Sequence, residues 1–329
     1  MDVIRWGIIG CGSVTELKSG PALQKAGHSQ LVAVCRRTLR LAEDYAKRHG
    51  VPKWYQNPNE LVQDPDVDAV YVATPPNSHK EFALLAACAG KPVYVEKPMA
   101  TTWEDCQEMI TVCKNANVPL LVAFYRRKLP RFLLVKELLE EIGNIRFVNV
   151  LLVRGNEERY QDPDSLPWTV TPAISGGGLF VDLGSHTLDL LDFLLGPIAE
   201  VVGFADNQIK AYPAEDCVAL SFKFECGAYG TGVWNFCAHG RYDKVEFFGE
   251  KGRVEFATFG DGAIELTLKG KDKQIFHTSN PVHIQQPLIE SVVGHIRGEE
   301  LCPSTGDSAA RTQKIIDIAL SSYRKAHRL

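Results

Sequence analysis

The strongest constraint on the fold is a regular alternation of β-rich runs and helical patterns over residues 1–125. Strand candidates lie at residues 3–9, 30–35, 69–73, 92–95 and 120–124. Helical patterns follow Ser13 and cover residues 39–49, 79–89 and 102–116. Strands that alternate with helices of about ten to fifteen residues form βαβ units and a parallel sheet covered on both faces. We therefore predict a doubly wound α/β domain of the Rossmann type over residues 1–125.

The pattern changes over residues 126–329. Helices are predicted at residues 130–141, 180–195, 288–296 and 307–328, and a strand at residues 145–154. Six further β runs between residues 200 and 268 are separated by short intervals rich in Gly, Pro and Asn, which is typical of hairpins. We predict an α+β domain with a large, mainly antiparallel sheet, whose last helix could pack back on the first domain.

Composition excludes several classes of function. The 329 residues are 45% apolar and 23% charged, with a formal net charge of −4. This charge argues against a nucleic-acid partner, which usually requires a basic excess. No apolar run approaches the roughly 20 residues that span a bilayer, and the N-terminus does not resemble a signal peptide. We therefore expect no membrane partner. The nine cysteines form no CxxC pair, so we expect reduced thiols, no metal site and a cytoplasmic location.

A glycine-rich loop follows the first strand. It reads G-x-G-x-x-T, with Gly10 at the tight turn and Gly12 where a pyrophosphate approaches the backbone. Ser13 and Val14 then open a helix, whose free N–H groups and positive dipole end favour an anion. In this βαβ context the loop predicts dinucleotide binding; the alternative is a purely structural turn.

The end of the second strand bears on the choice of cofactor. Arg36 and Arg37 stand where NAD-preferring proteins commonly carry an acidic residue. Guanidinium groups can pair with the 2′-phosphate of NADP(H), and one can stack on adenine. We predict a preference for NADP(H), with NAD(H) as a possible cofactor; the alternative is two solvated arginines that open a helix.

Two further loops belong to the same carboxyl edge of the predicted sheet, where open α/β proteins bind ligands. One follows the strand at residues 69–73 and reads TPPNSH; the other follows the strand at residues 92–95 and reads EKP. The cofactor contacts expected from these loops are Thr74, Pro75, Asn77, His79, Glu96 and Lys97.

Three segments together resemble the Gfo/Idh/MocA family, which includes glucose–fructose oxidoreductase and inositol dehydrogenase. They are GIIGCG (7–12), ATPPNSHKEFALLAACAGKPVYVEKPMA (73–100) and GGGLFVDLGSHTLDLLDFLLG (176–196). The resemblance implies a Rossmann domain, a second domain on an open antiparallel sheet, and NAD(P)-dependent oxidation or reduction of a sugar or polyol. It also implies a homodimer or homotetramer that assembles through the exposed sheet face.

The family motifs place the catalytic residues. In the family the lysine of E-K-P is catalytic, which corresponds to Lys97, and the D-x-x-x-H motif corresponds to Asp182 and His186. Residues four apart share one helix face, which Asp189 extends. Taken alone, Asp182 could be a helix-terminal charge and His186 a core histidine. The glycine run at residues 176–178 would let the helix start approach a ligand closely.

The substrate contacts expected from the sequence are Lys97, Tyr125, Arg126, Trp168, Asp182 and His186. Two assignments stay open for the proton: His186 transfers it while Lys97 stabilises the oxygen, or the roles are exchanged. Two other functions also stay open, a non-catalytic sugar-sensing protein on the same fold and an enzyme for a non-sugar substrate such as a dihydrodiol or biliverdin. The identity of the substrate depends on loop and sheet side chains whose facing the sequence does not reveal.

Overall fold

The computed structural model describes residues 2–155, 160 and 162–328. The chain divides into two compact units. The first consists of Met1–Leu129 and Pro281–Ala310, and the second of Pro130–Asn280 and Arg311–Leu329.

The first unit contains a six-stranded parallel sheet in the order β3-β2-β1-β4-β5-β6. Its strands are β1 (Ile4–Ile9), β2 (Ser29–Cys35), β3 (Lys53–Tyr55), β4 (Ala69–Val72), β5 (Val93–Val95) and β6 (Leu120–Val122). Its helices are α1 (Ser13–Leu17), α2 (Gly20–Lys25), α3 (Leu39–His49), α4 (Pro58–Gln63), α5 (His79–Cys88), α6 (Trp103–Asn115) and, later in the chain, α10 (Gln286–Arg297). This order confirms the predicted doubly wound Rossmann sheet.

Alternation along the strands divides the core of this unit between the two faces of the sheet. Val70, Val72 and Val95 pack in the cluster that includes residues of α4, α5 and α6. Tyr71 and Tyr94 pack in the cluster that includes Leu288 and Val292 of α10. A segment from the end of the chain therefore completes the second face, a return that periodicity alone does not predict.

Two local features of the first unit differ from the sequence-based expectations. The predicted helix after Ser13 is two short helices, because Ser19 begins α2 afresh and Pro21 occupies its first turn. The strand β3 and helix α4 were not predicted. Six residues are too few for a clear helical period, and the three residues of β3 lack the uniformly apolar character of the equally short β5 and β6.

The second unit is built on an eight-stranded sheet in the order β14-β13-β12-β11-β7-β10-β9-β8. Its strands are β7 (Ile145–Arg154), β8 (Ile198–Asp206), β9 (Cys217–Phe224), β10 (Tyr229–Asn235), β11 (Arg241–Gly249), β12 (Gly252–Phe256), β13 (Ile264–Leu268) and β14 (Gln274–Phe276). Its helices are α7 (Pro130–Glu141), α8 (Pro172–Ser175), α9 (Ser185–Leu195) and α11 (Gly306–His327), whose residues up to Ala310 belong to the first unit. The sheet is mainly antiparallel, as predicted, and β7 pairs in parallel with β10.

The two faces of this sheet differ in exposure. On one face Val150, Leu220 and Trp234 are buried, and the Phe180 ring packs edge-on against Trp234 with centroids 5.2 Å apart. On the opposite face Val202 and Phe204 are 71% and 86% exposed. Alternation in β8 thus leaves large apolar side chains on the face away from the core.

An ion pair between the buried Asp192 and the exposed side chain of Arg311 holds α9 in place within the second unit. Arg311 of α11 donates from Nε and Nη2 to the two carboxylate oxygens of Asp192 at 2.7 and 2.8 Å. The Asp192 side chain is only 6% exposed, so this two-pronged contact offsets its desolvation and fixes the helix that carries His186.

Within the described part of the chain, no helix is both long enough and apolar enough to cross a membrane. The nine cysteines are free thiols, and five of them are buried.

Candidate active site

Gly10 closes the turn at the end of β1. Its φ of +94° is in the region that favours glycine, and a Cβ there would lie 2.8 Å from the backbone nitrogen of Thr74. Its N–H donates to the Cys35 carbonyl at 2.9 Å. Gly10 therefore brings the ends of β1, β2 and β4 together, and a larger residue would separate them.

The backbone after Gly10 offers open donors. Gly12 is the N-cap residue of α1 and, as a glycine, has no side chain to accept a hydrogen bond from the first N–H groups of the helix. A Cβ at this position would have the Gly10 carbonyl oxygen as its nearest neighbour, 3.8 Å away. Ser13 and Val14 open α1, where the first N–H groups have no intrahelical partner. Thr15, in place of a third glycine, is buried and donates its hydroxyl to the Gly12 carbonyl at 2.8 Å. This open, donor-rich backbone fits a pyrophosphate.

The two arginines after β2 have different surroundings. Arg36 is half-buried, and its Nη1 donates to the Cys11 carbonyl of the glycine loop at 3.2 Å. Arg37 is exposed. Of the two, Arg36 is therefore the arginine whose guanidinium lies at the glycine-rich loop.

The loop after β4 is tied down by its own side chains. The Ser78 hydroxyl donates to Oγ1 of Thr74 at 2.8 Å. The His79 ring is fully buried, with Nε2 2.7 Å from the Thr74 carbonyl and Nδ1 2.9 Å from the Pro98 carbonyl. Burial lowers the pKa of His79, against the effect of these carbonyls. His79 thus links the Thr74 and Pro98 loops, while Pro75 is half-buried and Asn77 exposed.

The E-K-P motif begins where β5 ends. Glu96 is 7% exposed, Lys97 is half-buried, and the Lys97–Pro98 peptide is cis. The Glu96 Oε1 accepts from the Tyr71 hydroxyl at 2.5 Å and from Nε2 of Gln285 at 2.8 Å. Sequence reasoning missed Tyr71, which looks like an ordinary strand residue, and Gln285, which stands 189 positions away.

Tyr125 and Arg126 form part of a short 3₁₀ turn, Tyr125–Lys128, after β6. The Arg126 guanidinium carbon lies 5.0 Å from the centre of the Tyr125 ring, and Arg126 is only 5% exposed. The neighbouring Arg127 donates to the Pro303 carbonyl at 3.1 Å, which holds this turn against the returning segment of the first unit.

In the second unit, Asp182 and His186 follow a glycine run. The predicted helix over residues 180–195 begins with one π-helical turn, Phe180–Gly184, before the regular α9. A Cβ on Gly184 would lie 2.5 Å from the Phe180 ring, so the wide turn depends on glycine. Asp182 is half-buried and lies in the π turn, while His186 is 5% exposed and its ring is edge-on to Phe259.

Glu215 is a buried carboxyl group that sequence reasoning missed. Its Oε1 accepts the N–H of Gly178 at 2.8 Å, and a Cβ on Gly177 or Gly178 would lie 3.2 Å from the same carboxyl group. The glycines of this run therefore approach Glu215 closely. Arg324 donates to the Gly176 carbonyl at 2.6 Å and fixes the other end of the run.

Burial raises the pKa of Glu215 to about 7, although the Gly178 N–H and the charge of Arg324 act in the opposite direction. The folded protein thus keeps a proton on Glu215 at pH values where the unfolded chain has lost it.

The remaining predicted residues also lie in the second unit. Trp168 begins a 3₁₀ turn, Trp168–Val170, and is 41% exposed, whereas Asp189 of α9 is completely buried. Among the described residues, no group of three or more His, Cys, Asp or Glu side chains is arranged to hold a metal ion.

The structure thus gathers the predicted site residues in two sets. The first unit brings Gly10, Arg36, Thr74 and Glu96 to the carboxyl edge of its parallel sheet. The second unit places Asp182 and His186 at the start of one helix, behind a glycine run held by Glu215.

We predict that Glu215→Gln changes the pH dependence of stability. As pH rises from about 4.5 to about 7, the free energy of unfolding of the wild-type protein should fall by up to about 3 kcal/mol relative to that of the variant. The reason is that the Glu215 carboxyl group ionises in the unfolded chain in this range but stays protonated in the folded protein. Urea unfolding at intervals across this range measures the difference, and the exposed Glu225→Gln is the control. A difference that does not vary with pH would contradict the raised pKa.

Comparison with known proteins identifies the family. A model of the oxidoreductase family with an NAD-binding Rossmann fold, GFO_IDH_MocA, matches residues 4–124, and the GFO/IDH/MocA C-terminal domain matches residues 132–255. The chain is 37% identical to oxidoreductase P35 of Formosa agariphila, over 96% of this chain and 98% of that protein. It is 31% identical to myo-inositol 2-dehydrogenase of Thermotoga maritima, over 82% of this chain and 79% of the relative.

A solved structure agrees with these sequence matches. The aldose-aldose oxidoreductase of Caulobacter crescentus, complexed with glycerol, superposes with a TM-score of 0.84 and 26% identity over 98% of each chain. The protein belongs to the GFO/IDH/MocA family of oxidoreductases.

Proposed function

We propose that this oxidoreductase transfers a hydride between a nicotinamide dinucleotide and a CH–OH group of a sugar, a polyol or a related hydroxy compound. The observation that carries the proposal is the match to myo-inositol 2-dehydrogenase over 82% of this chain. The name of the aldose-aldose oxidoreductase also supports a substrate of this class. The presence of Lys97, Asp182 and His186 favours an enzyme over a sugar-sensing protein that has lost catalytic groups.

The first unit fits a dinucleotide. Gly12, Ser13 and Val14 would hold the pyrophosphate through backbone N–H groups, and Thr74 and Asn77 would line the nucleotide. When bound, the nicotinamide supplies the site that accepts or returns the hydride.

The protein's own groups handle the hydroxyl oxygen of the substrate. In the oxidation direction, His186 would accept the hydroxyl proton while the carbinol carbon gives up its hydrogen as a hydride. In the reduction direction, His186 would return that proton to the oxygen. Lys97 would donate a hydrogen bond to the same oxygen and stabilise its developing negative charge. Asp182 would orient the imidazole or a second substrate hydroxyl, and Tyr125, Arg126 and Trp168 would contact the rest of the substrate.

We predict that Lys97→Met and His186→Asn both reduce turnover. A panel of sugars, polyols, diols and dicarbonyls is followed at 340 nm with NAD(H) and NADP(H) in parallel. On the best substrate, loss of the Lys97 donor should lower kcat by about 10²–10³-fold, and loss of the His186 base by about 10²–10⁴-fold.

The dependence of kcat on pH assigns the proton, because removal of the group that transfers it removes the corresponding limb of the profile. An unchanged rate in Lys97→Met would refute both assignments. Absence of turnover across the panel would favour the sensing protein, and turnover of a dihydrodiol alone would favour a non-sugar enzyme.

We also propose a preference for NADP(H) over NAD(H). Two observations support this preference. Positions 36 and 37 are arginines where NAD-preferring proteins commonly carry an acidic residue, and the Arg36 guanidinium contacts the glycine loop at the Cys11 carbonyl. A guanidinium there can pair with the 2′-phosphate, whereas a carboxylate would repel it.

We predict that Arg36→Ala lowers kcat/KM with NADP(H) by about 10- to 100-fold, the effect of losing charge-assisted hydrogen bonds, and changes it far less with NAD(H). Arg37→Ala tests the exposed neighbour, and Arg40→Ala, on the exposed face of α3, is the control. Equal losses with both nucleotides would mean that Arg36 only shapes the loop through Cys11.

The exposed face of the second sheet supports a homodimer or homotetramer. Eight strands about 4.8 Å apart and up to about 30 Å long present on the order of 1,000 Å², and a stable interface needs roughly 800 Å² from each partner. Val202 and Phe204 supply exposed apolar side chains on this face.

The nine free thiols also support a reducing, cytoplasmic location.

We predict that Phe204→Glu dissociates the oligomer, because it places a charge in the apolar interface. Light scattering after size exclusion should give a multiple of the 36.4 kDa chain mass for the wild type and a lower mass for the variant. Val282→Glu, at a 94% exposed residue of the first unit, should behave as wild type. A monomeric wild type would refute the proposal.

A further inference from the structure

We propose that Gln285 and Tyr71 are positioning residues for Lys97 and that they act through the carboxylate of Glu96. The inference rests on the proposed role of Lys97 at the substrate oxygen. It assigns a function to the buried hydrogen-bond network of the first unit that surrounds Glu96.

The Glu96 carboxylate lies in the middle of this network. The Tyr71 hydroxyl and Nε2 of Gln285 both donate to its Oε1, at 2.5 and 2.8 Å. Its Oε2 accepts the backbone N–H of Lys97 at 3.2 Å. The same side chain therefore binds a strand, a distant segment and the peptide group of the catalytic residue.

The topology explains why these groups meet. Glu96 continues β5, and its own N–H donates to the Val72 carbonyl at 2.9 Å. Tyr71 and Tyr94 occupy equivalent positions on adjacent strands β4 and β5, and both lie on the face that packs with α10. Gln285 immediately precedes α10 and is 1% exposed. Formation of the second face of the sheet therefore delivers the Gln285 amide to Glu96.

The orientation of the Gln285 amide is consistent with both of its contacts. Its Nε2 donates to Glu96, while its Oε1 faces the hydroxyl of Tyr94 at 3.4 Å. The Tyr71 and Tyr94 rings stack with their centres 4.9 Å apart. This packing limits the movement of both rings and so helps to fix the Tyr71 hydroxyl against Glu96 and the Tyr94 hydroxyl against Gln285.

The protonation states of the neighbours keep the network constant near neutral pH. Burial and the charge of Glu96 raise the pKa of Tyr71 and of Tyr94 well above its usual range, so both hydroxyls remain donors. Burial lowers the pKa of His79, whose ring also lies within electrostatic reach of Glu96. Lys97 contacts the same carboxylate through its backbone N–H, which does not titrate.

Loss of one donor has a specific consequence. Removal of a hydrogen bond from a buried carboxylate destabilises the folded protein, and the carboxylate moves toward another donor. Because Glu96 also holds the Lys97 peptide group, such a movement displaces the start of the catalytic turn. Displacements near 1 Å at reacting groups can cost on the order of 10²-fold in rate.

The experiment compares Gln285→Leu and Tyr71→Phe with Gln286→Leu. Gln286 is the adjacent residue, and its amide Nε2 donates to the exposed Glu290 carboxylate at 2.9 Å. We expect kcat to fall about 10- to 100-fold in the first two variants, with the KM for substrate and the Kd for the dinucleotide within about twofold of wild type. Gln286→Leu should retain wild-type kcat.

Two results would overturn the inference. One is a kcat for Gln285→Leu equal to that of Gln286→Leu. The other is a dinucleotide Kd that rises by the same factor as kcat/KM falls, which would make the network part of the nucleotide site. Melting temperatures of all variants separate these results from a loss of folded protein.

A reciprocal exchange tests the network where Gln285→Leu folds poorly. Gln285→Glu places a second carboxylate against Glu96, and addition of Glu96→Gln restores one donor and one acceptor to the pair. We expect the double variant to recover at least about tenfold of the kcat lost in the single variant, as coupled neighbours do. Strictly additive effects would contradict the contact.

A substrate-independent reporter distinguishes failure of this inference from failure of the proposed function. Reductive ¹³C-methylation labels the lysines, and loss of one NMR signal in Lys97→Met assigns Lys97. That signal should shift in Gln285→Leu and Tyr71→Phe but not in Gln286→Leu, with or without turnover. An unshifted signal overturns the positioning role, whereas absence of turnover across the substrate panel overturns the proposed function. Wild-type turnover in Lys97→Met overturns the proposed role of Lys97, on which the inference rests.

Discussion

The carboxyl end of β1 is the constraint on which the first unit depends. There the strand order reverses between β2 and β4. At position 10 only a glycine leaves room for Thr74, because a Cβ would lie 2.8 Å from the Thr74 backbone nitrogen. This reversal creates the crevice where open α/β sheets bind ligands. The glycine loop, Arg36 and the Thr74 and Glu96 loops all begin at strand ends on this edge, so one packing requirement brings the candidate cofactor loops together.

The second unit positions its groups by a different means. Asp182 and His186 begin a mostly buried helix, and the backbone before them is held by Glu215 and Arg324 rather than by regular secondary structure. The Gly177 and Gly178 positions lack room for side chains, because a Cβ on Gly177 would lie 2.5 Å from Cγ2 of Val181 and a Cβ on Gly178 would lie 2.6 Å from the Glu215 carbonyl oxygen. A glycine run that looks suited to a ligand is therefore also a packing requirement of the protein itself.

Long periodic segments could be predicted closely, whereas short ones could be predicted only where the run is uniformly apolar, as in β5 and β6. The bounds of α3, α7 and β7 agree with the pattern, because eleven or more helical residues or ten alternating ones outweigh local noise. The strands β3 and β14 have three residues each. The π turn at Phe180–Gly184 also escaped prediction, since it depends on the fit of the Phe180 ring against Gly184.

The amino-acid sequence by itself determined the Rossmann fold, the family and the identity of Lys97, Asp182 and His186 as candidates, because local periodicity and short motifs carry that information. Only the tertiary structure decided which buried groups support them. Gln285 reaches Glu96 across 189 positions, and Glu215 reaches Gly178 across 37. Such contacts arise from the packing of distant segments, and a polar residue in a linear sequence does not reveal whether folding will bury it beside a partner.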